Sequence, residues 1–244
     1  MPERPSARSI LARLRRIASP EDAAGMARFG IRPRSRVLGI SIWELRKIAK
    51  ETGKSHRLAG ELWKSGIHEA RILAGFVEEP EKVTEQQLER WVKTFDSWDV
   101  VDQVSELFVR TPFARKKIRE WSMREEEFVK RTAFTLIAEL AWHDKGMADA
   151  EFERFFPLIK RGAVDERNFV KKAVNWALRN IGKRNRALNA RAIQVAKDIQ
   201  RMDSRAARWI ASDTLRELTG PAVQKRLARH TAPFARTGPP SVQR

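Results

Sequence analysis

Residues 128–140 read FVKRTAFTLIAEL, and residues 169–181 read FVKKAVNWALRNI. Both open on Phe-Val-Lys followed by a second cation, at an offset of 41 residues. In the second stretch Val170, Ala173, Val174, Ala177 and Ile181 recur at helical spacing and make one apolar face. Comparable small-residue segments stand at IHEARILAGFV (67–77), SWDVVDQVSELF (97–108) and SRAARWIASDTL (204–215). No alternating run rich in Val, Ile and Thr suggests a strand, and no Asn-Gly or Asp-Gly suggests a hairpin. Helical periodicity covers nearly the whole chain. A helical unit returning every roughly 30 to 40 residues is the mark of a stacked repeat. The expected fold is all-α, a solenoid of HEAT-like antiparallel helix pairs with a long concave basic face. A compact helical bundle is the other arrangement these helices allow.

Local signals set the expected ends. Pro20 with Glu21 and Asp22 suits a helix N-terminus. Thr84 with Gln87 three residues on reads as a capping box, and Ser97 as a cap for the helix that follows. Pro112 and Pro221 fit first-turn positions, and 149–160 reads as one helix. Residues 1–230 are expected to form a single repeat domain. The Pro/Gly/Ser-rich end, 231–244, reads as a disordered tail.

Across 244 residues, 49 Lys and Arg stand against 31 Asp and Glu, a net charge of +18. Hydrophobic residues make up 42% of the chain, so this is a folding sequence and not a disordered polycation. A charge of this size points to a polyanionic partner, nucleic acid above all. There is no cysteine, which removes disulfides, thiolate metal sites and a cysteine nucleophile. The four histidines, His56, His68, His143 and His230, have no i, i+3 or i, i+4 pair among them, and no metal site is expected. No apolar run reaches the roughly 18 residues of a membrane span. The opening segment carries scattered Arg without the apolar block of a secretory signal. The expected place is a bacterial cytoplasm, at the nucleoid.

Eight tryptophans and no tyrosine are present. Trp43, Trp63, Trp91, Trp121 and Trp209 sit at ordinary apolar positions and are expected in the core. Trp98 differs. It shares a helix face with Asp102, and Asp99 stands beside it. The helix dipole accounts for Asp99 in the first turn; it accounts less well for Asp102. Lys172, Trp176, Arg179 and Lys183 form a stripe of cations around an indole, the pattern of phosphate contact joined to stacking. A solvated basic face explains the same stripe equally well. Arg131, Thr135 and Trp142 line a similar stripe on the neighbouring repeat, with Lys130 beside it.

Three motifs together, SWDVVD (97–102), KRTAF (130–134) and FVKKAVNWALR (169–179), resemble the AlkD family of DNA alkylpurine glycosylases. So does the stretch 21–50, EDAAGMARFGIRPRSRVLGISIWELRKIAK. The resemblance covers roughly residues 20–220. It implies hydrolysis of the N-glycosidic bond of N3- or N7-alkylated purines in duplex DNA, by a monomer without a cofactor. It implies that Asp102 is the catalytic carboxylate and that Trp98 and Trp176 flank the damaged nucleotide. Arg131, or Lys130 beside it, would contact the DNA backbone near the lesion, and Arg179 would contact a phosphate. Phe29 stands where family members carry an aromatic hydroxyl after Met-Ala-Arg, so DNA contact there would lack that hydrogen bond. The alternative is a relative that keeps the fold and binds distorted or branched DNA by shape, without catalysis.

Overall fold

The computed structural model describes residues 5–229. The expected tail at 231–244, and His230, lie outside them. The described residues form helices α1 (Ala7–Arg16), α2 (Pro20–Met26), α3 (Ile42–Thr52), α4 (His56–Trp63), α5 (His68–Val77), α6 (Glu85–Val92), α7 (Trp98–Phe108) and α8 (Ala114–Trp121). They continue with α9 (Glu127–His143), α10 (Asp149–Glu153), α11 (Phe156–Gly162), α12 (Asn168–Gly182), α13 (Arg186–Gln200), α14 (Arg205–Leu218) and α15 (Pro221–Arg229). A short 3-10 turn, Ala27–Phe29, follows α2. Among the described residues the extended pairing is a single parallel bridge between Arg36 and Ile67.

The helices stack in two rows. The first row runs α3, α5, α7, α9, α12, α14, each packed on the next. The second row backs it: α4 lies on α5, α8 on α9, and α13 on both α12 and α14. This is the all-α, HEAT-like architecture expected from the repeated segments. One contiguous apolar core runs through it, from Ile10 to Leu227. The two helices that begin with Phe-Val-Lys, α9 and α12, pack along each other, and Phe128 stacks on Phe169 at 5.6 Å between ring centroids. Close approach of α12 to α14 depends on Gly182. A Cβ there would stand 2.4 Å from Leu218 Cδ1 and 3.0 Å from Ala192 Cβ, so any side chain would force the buried Leu218 to shift.

Serine and asparagine caps fix several helix starts. Ser19 accepts from Asp22 N at 3.2 Å, Asn185 from Leu188 N at 2.9 Å and Ser204 from Ala207 N at 3.1 Å. Each is worth about 1 kcal/mol over alanine. Pro221 opens α15 as expected.

Other local expectations needed correction. Thr84 caps α6, but the Gln87 amide does not reach back; it donates to the buried Glu78 at 2.6 Å. Ser97 stands at the N-cap of α7 without capping it, because its hydroxyl donates to Asp99 Oδ1. The stretch 149–160 is two helices, α10 and α11. Pro157 has no amide proton, and its ring collides with the carbonyl four residues back, so the chain must restart there. The helix expected from Pro112 begins at Ala114. Trp63 and Trp91 stack at 3.9 Å, and Trp121 is fully buried. Trp43 and Trp209, in contrast, are 83% and 41% exposed, outside the core assigned to them.

Candidate active site

The first turn of α7 brings Trp98 and Asp99 to the N-terminal end of the helix, and Asp102 follows one turn later. The two carboxylates part company. Asp99 is buried and accepts from His68 Nε2 at 2.7 Å. Burial works to raise its carboxyl, yet the bonds from His68 and Ser97 hold it below the usual carboxylate range. Asp102 turns to α9. Both its oxygens accept from Arg131 Nη2, at 2.7 and 2.8 Å, and Thr135 Oγ1 stands at 3.5 Å. Burial pushes the Asp102 carboxyl up, against the pull of Arg131.

Arg131 is itself buried and is tied by Nη1 to the carbonyl of Phe169 at 2.7 Å. One guanidinium therefore links α7, α9 and α12. It holds Asp102 against rotation at the wall of a cleft of about 670 Å³. Trp98 and Asp102 of α7, Arg131 of α9 and Trp176 of α12 all line that cleft. Trp98 is fixed by its indole N–H, which donates to the carbonyl of Phe29 at 3.0 Å. The rim carries Arg28, Phe29 and Lys172. Phe29 is 74% exposed, an apolar ring offered at the mouth. Three cations, Arg28, Arg131 and Lys172, face the single carboxylate, which suits a site that admits a phosphodiester backbone.

The basic stripe on α12 divides. Lys172 and Trp176 line the cleft. Arg179 does not: its guanidinium lies 2.8 Å from Asp213 and 2.7 Å from Glu217, both on α14. Lys183 pairs with Glu217 at 2.8 Å. Lys130, next to Arg131 in sequence, points away and pairs with Asp165 at 3.2 Å. Of the two neighbours, Arg131 is the one at the cleft.

Reasoning from sequence overlooked Arg28, Gly30 and Phe169 as parts of this wall. Gly30 has φ +77°, and a Cβ there would stand 3.2 Å from Phe169 Cζ. The chain after α2 thus closes onto the start of α12. The Met-Ala-Arg-Phe-Gly run was the available signal, since only a glycine adopts that backbone readily. Among the described residues no group of three or more His, Asp or Glu side chains converges as a metal site.

A family model described as DNA alkylation repair enzyme matches residues 10–218. The chain belongs to that family. Among solved structures, it superposes on one described as a new family of proteins related to the HEAT-like repeat DNA glycosylases with affinity for branched DNA structures. The TM-score is 0.73 at 17% identity, over 93% of this chain and 95% of that one. At that identity the match shows the fold. An engineered protein (TM-score 0.36, 12% identity, 72% of this chain and 89% of that one) and a designed armadillo repeat protein (0.32, 14%, 71% and 91%) are more distant. No curated protein matches by sequence. In this DNA alkylation repair family member, then, the cleft at Asp102 is built from the same three motifs that carried the family resemblance.

Proposed function

We propose that the protein is a DNA N-glycosylase that releases cationic N3- or N7-alkylated purines from duplex DNA. The observation that carries the reading is Asp102, pinned by Arg131 and set in one cleft with Trp98 and Trp176. An alkylated purine already bears a positive charge. When its N-glycosidic bond breaks, the bonding pair returns to the ring nitrogen and the base leaves neutral, so no strong acid is needed. Positive charge develops on the sugar, as in other glycoside cleavages. A fixed carboxylate in a partly dry cleft stabilises that charge and orients the attacking water. Water adds at the anomeric carbon and gives its proton to solvent, leaving an abasic site. The indole faces add about 0.5–2 kcal/mol each by attraction to a cation. Arg28 and Lys172 hold phosphates on either side. The same reading puts a monomer on the duplex, at a bacterial nucleoid, with no cofactor.

The test is base release from duplexes carrying one N7-methylguanine or one N3-methyladenine, with Asp102→Asn alongside. The expected result is release that falls by about 100-fold or more in Asp102→Asn, the scale of a lost electrostatic stabiliser. DNA affinity should stay equal or rise slightly, since a negative charge is removed. Equal release by Asp102→Asn would overturn the role of the carboxylate. Tight binding without release from either duplex would favour the second reading, a non-catalytic binder of DNA structure. The related solved protein is described as having affinity for branched DNA, so a four-way junction is the competitor to include.

A further inference from the structure

Trp142 shares the face of α9 that carries Arg131, yet it has no part in the cleft. It stands eleven residues further along the helix, a rise of about 16 Å. It is 58% exposed. It lines a separate pocket of about 490 Å³, built where α9 and α12 end and where α15 passes them. A volume of this order suits a small organic ligand or one unit of a polymer. Four cations, Lys145, Lys183, Arg184 and Arg226, line the pocket against a single carboxylate, Asp149. Such a lining draws in an anion.

Several of these groups are already bonded within the fold. Asp149 accepts from Asn185 Nδ2 on both oxygens, at 2.9 Å. Lys183 pairs with Glu217. Arg184 donates to the carbonyl of Ala141 at 2.8 Å and lies 4.3 Å over the ring of Phe152. Arg226 donates to the carbonyl of Lys183 at 2.8 Å. These bonds finish the C-terminal ends of α9 and α12, where cations are favoured. They leave charge over. Among the described residues, Lys145, Arg184 and Arg226 pair with no carboxylate. Lys145 is exposed, with its ammonium 5.5 Å from the centroid of the Trp142 ring. Finishing a helix end accounts for the two arginines. It does not account for an indole left in solvent beside an unpaired lysine.

An open aromatic ring edged by uncancelled cations suits an unpaired nucleotide, its base on the ring and its phosphates on the cations. A continuous duplex has no base face to offer such a surface, because its stacked bases show only their edges in the grooves. Nor can one nucleotide reach both places, since each advances a strand by only about 3.4 Å. We infer that the pocket at Trp142 binds single-stranded DNA running out of the duplex held at the cleft. One unpaired base lies on the Trp142 indole, and its neighbouring phosphates meet Lys145 and Arg226. The lysine is held only by the ring it covers, so it moves to the phosphate as the base takes its place. The inference rests on DNA binding at the cleft and not on catalysis there.

The experiment is fluorescence anisotropy of the full chain with an undamaged blunt duplex and with the same duplex carrying a single-stranded tail. A tail of about ten nucleotides lies within the usual span of single-strand sites. Tails at the 5′ and the 3′ end are tested in separate molecules. One of them should tighten binding about tenfold, the gain of one base stacked on an aromatic ring. Trp142→Ala should remove that gain and leave affinity for the blunt duplex unchanged, whereas Trp142→Phe should keep most of it. The indole is exposed, so urea unfolding of Trp142→Ala should match the wild type. Lys145→Glu should also reduce the gain. A tail carrying 5-iodouracil, irradiated in the complex, should crosslink to Trp142 on peptide mapping. No gain from either tail overturns the inference. So does a gain that survives Trp142→Ala, or a crosslink confined to the cleft. If free deoxyadenosine monophosphate binds as tightly as the tail, the occupant is a free nucleotide and the single-strand assignment falls. Asp102-dependent base release is measured on blunt duplexes, so a failure of the glycosylase reading and a failure of this inference are told apart.

Discussion

The two Phe-Val-Lys helices start alike and end up doing different things. On α9, Lys130 and Arg131 pair with Asp165 and Asp102, and Arg131 is buried. On α12, the matching Lys171 lies 5.0 Å over the ring of Trp209, and Lys172 is exposed at the cleft rim. The repeat places the second cation of each helix on the side facing the cleft. What differs is the preceding helix in the row. Before α9 comes α7, which offers Asp102 to Arg131; before α12 comes α9, and among the described residues no carboxylate pairs with Lys172. A repeated pattern thus fixes where a cation stands, and its neighbour decides whether it becomes part of a rigid site or stays available to a ligand.

The strongest way to break this contrast is to unpair the rigid half. Arg131→Met keeps the stem but removes the guanidinium from a buried pair. Asp102 is then left desolvated without its partner, which costs about 3–5 kcal/mol. Urea unfolding should show that loss. The rate of base release should also change its pH dependence in a direction a purely structural role does not produce. Burial already holds the Asp102 carboxyl above the ordinary carboxylate range, so wild-type release should fall on acidification before an ordinary aspartate would protonate. Without Arg131 the carboxyl rises further, and the acid limb of the rate profile should move to higher pH. A profile that does not move would show that Asp102 is not the titrating group. Lys172→Met, on the exposed counterpart, should leave stability nearly unchanged.

Glu139 sharpens the comparison along one helix. It lies on α9, two turns beyond Arg131, and is buried; among the described residues its ion-pair partner is His143, at 3.2 Å. Burial, with Glu106 and Asp102 nearby, lifts its carboxyl from 4.5 to about 7. The folded state therefore holds a proton that the unfolded chain releases near 4.5. The stabilisation it brings is complete below that pH and is lost as the pH rises through about 7. The full span is at most about 3 kcal/mol. Glu139→Gln should flatten this part of the stability curve. An unchanged curve would mean that the folded protein accommodates the charged form, through water or a moved cation.

Much of this was legible from residue spacing. Helical periodicity gives the all-α stack because each amphipathic segment has one face to bury. The i, i+4 relation of Trp98 to Asp102 and of Lys172 to Trp176 puts each pair on one helix face, and packing of α7, α9 and α12 brings the faces together. Partner choice was not legible. Asp99 reads as a dipole-favoured first-turn acid, yet it is bound by His68, which arrives from α5 through the Arg36 bridge. Nothing near Arg179 in sequence announces Asp213 and Glu217. Trp43 and Trp209 occupy apolar-looking positions, and whether another helix covers them depends on the stack. Local pattern gives the face, while the third dimension supplies the counter-charge.

The smallest effect tests the basic stripe itself. Lys172, exposed at the rim, is free to displace a counterion from a phosphate; Arg179 is already neutralised by two carboxylates of α14. If binding to undamaged duplex is followed against salt, Lys172→Ala should lower the logarithmic slope by about 1, one phosphate contact. Arg179→Ala should leave the slope nearly unchanged and instead cost stability, because Asp213 and Glu217 lose a shared partner while Asn175 and Lys183 retain their bonds to them. The opposite outcome, a changed slope for Arg179→Ala alone, would mean that DNA opens the α12–α14 pairs and takes the place of the carboxylates. In that case the binding path runs along the whole stripe, and the division between its two halves belongs to the unbound protein only.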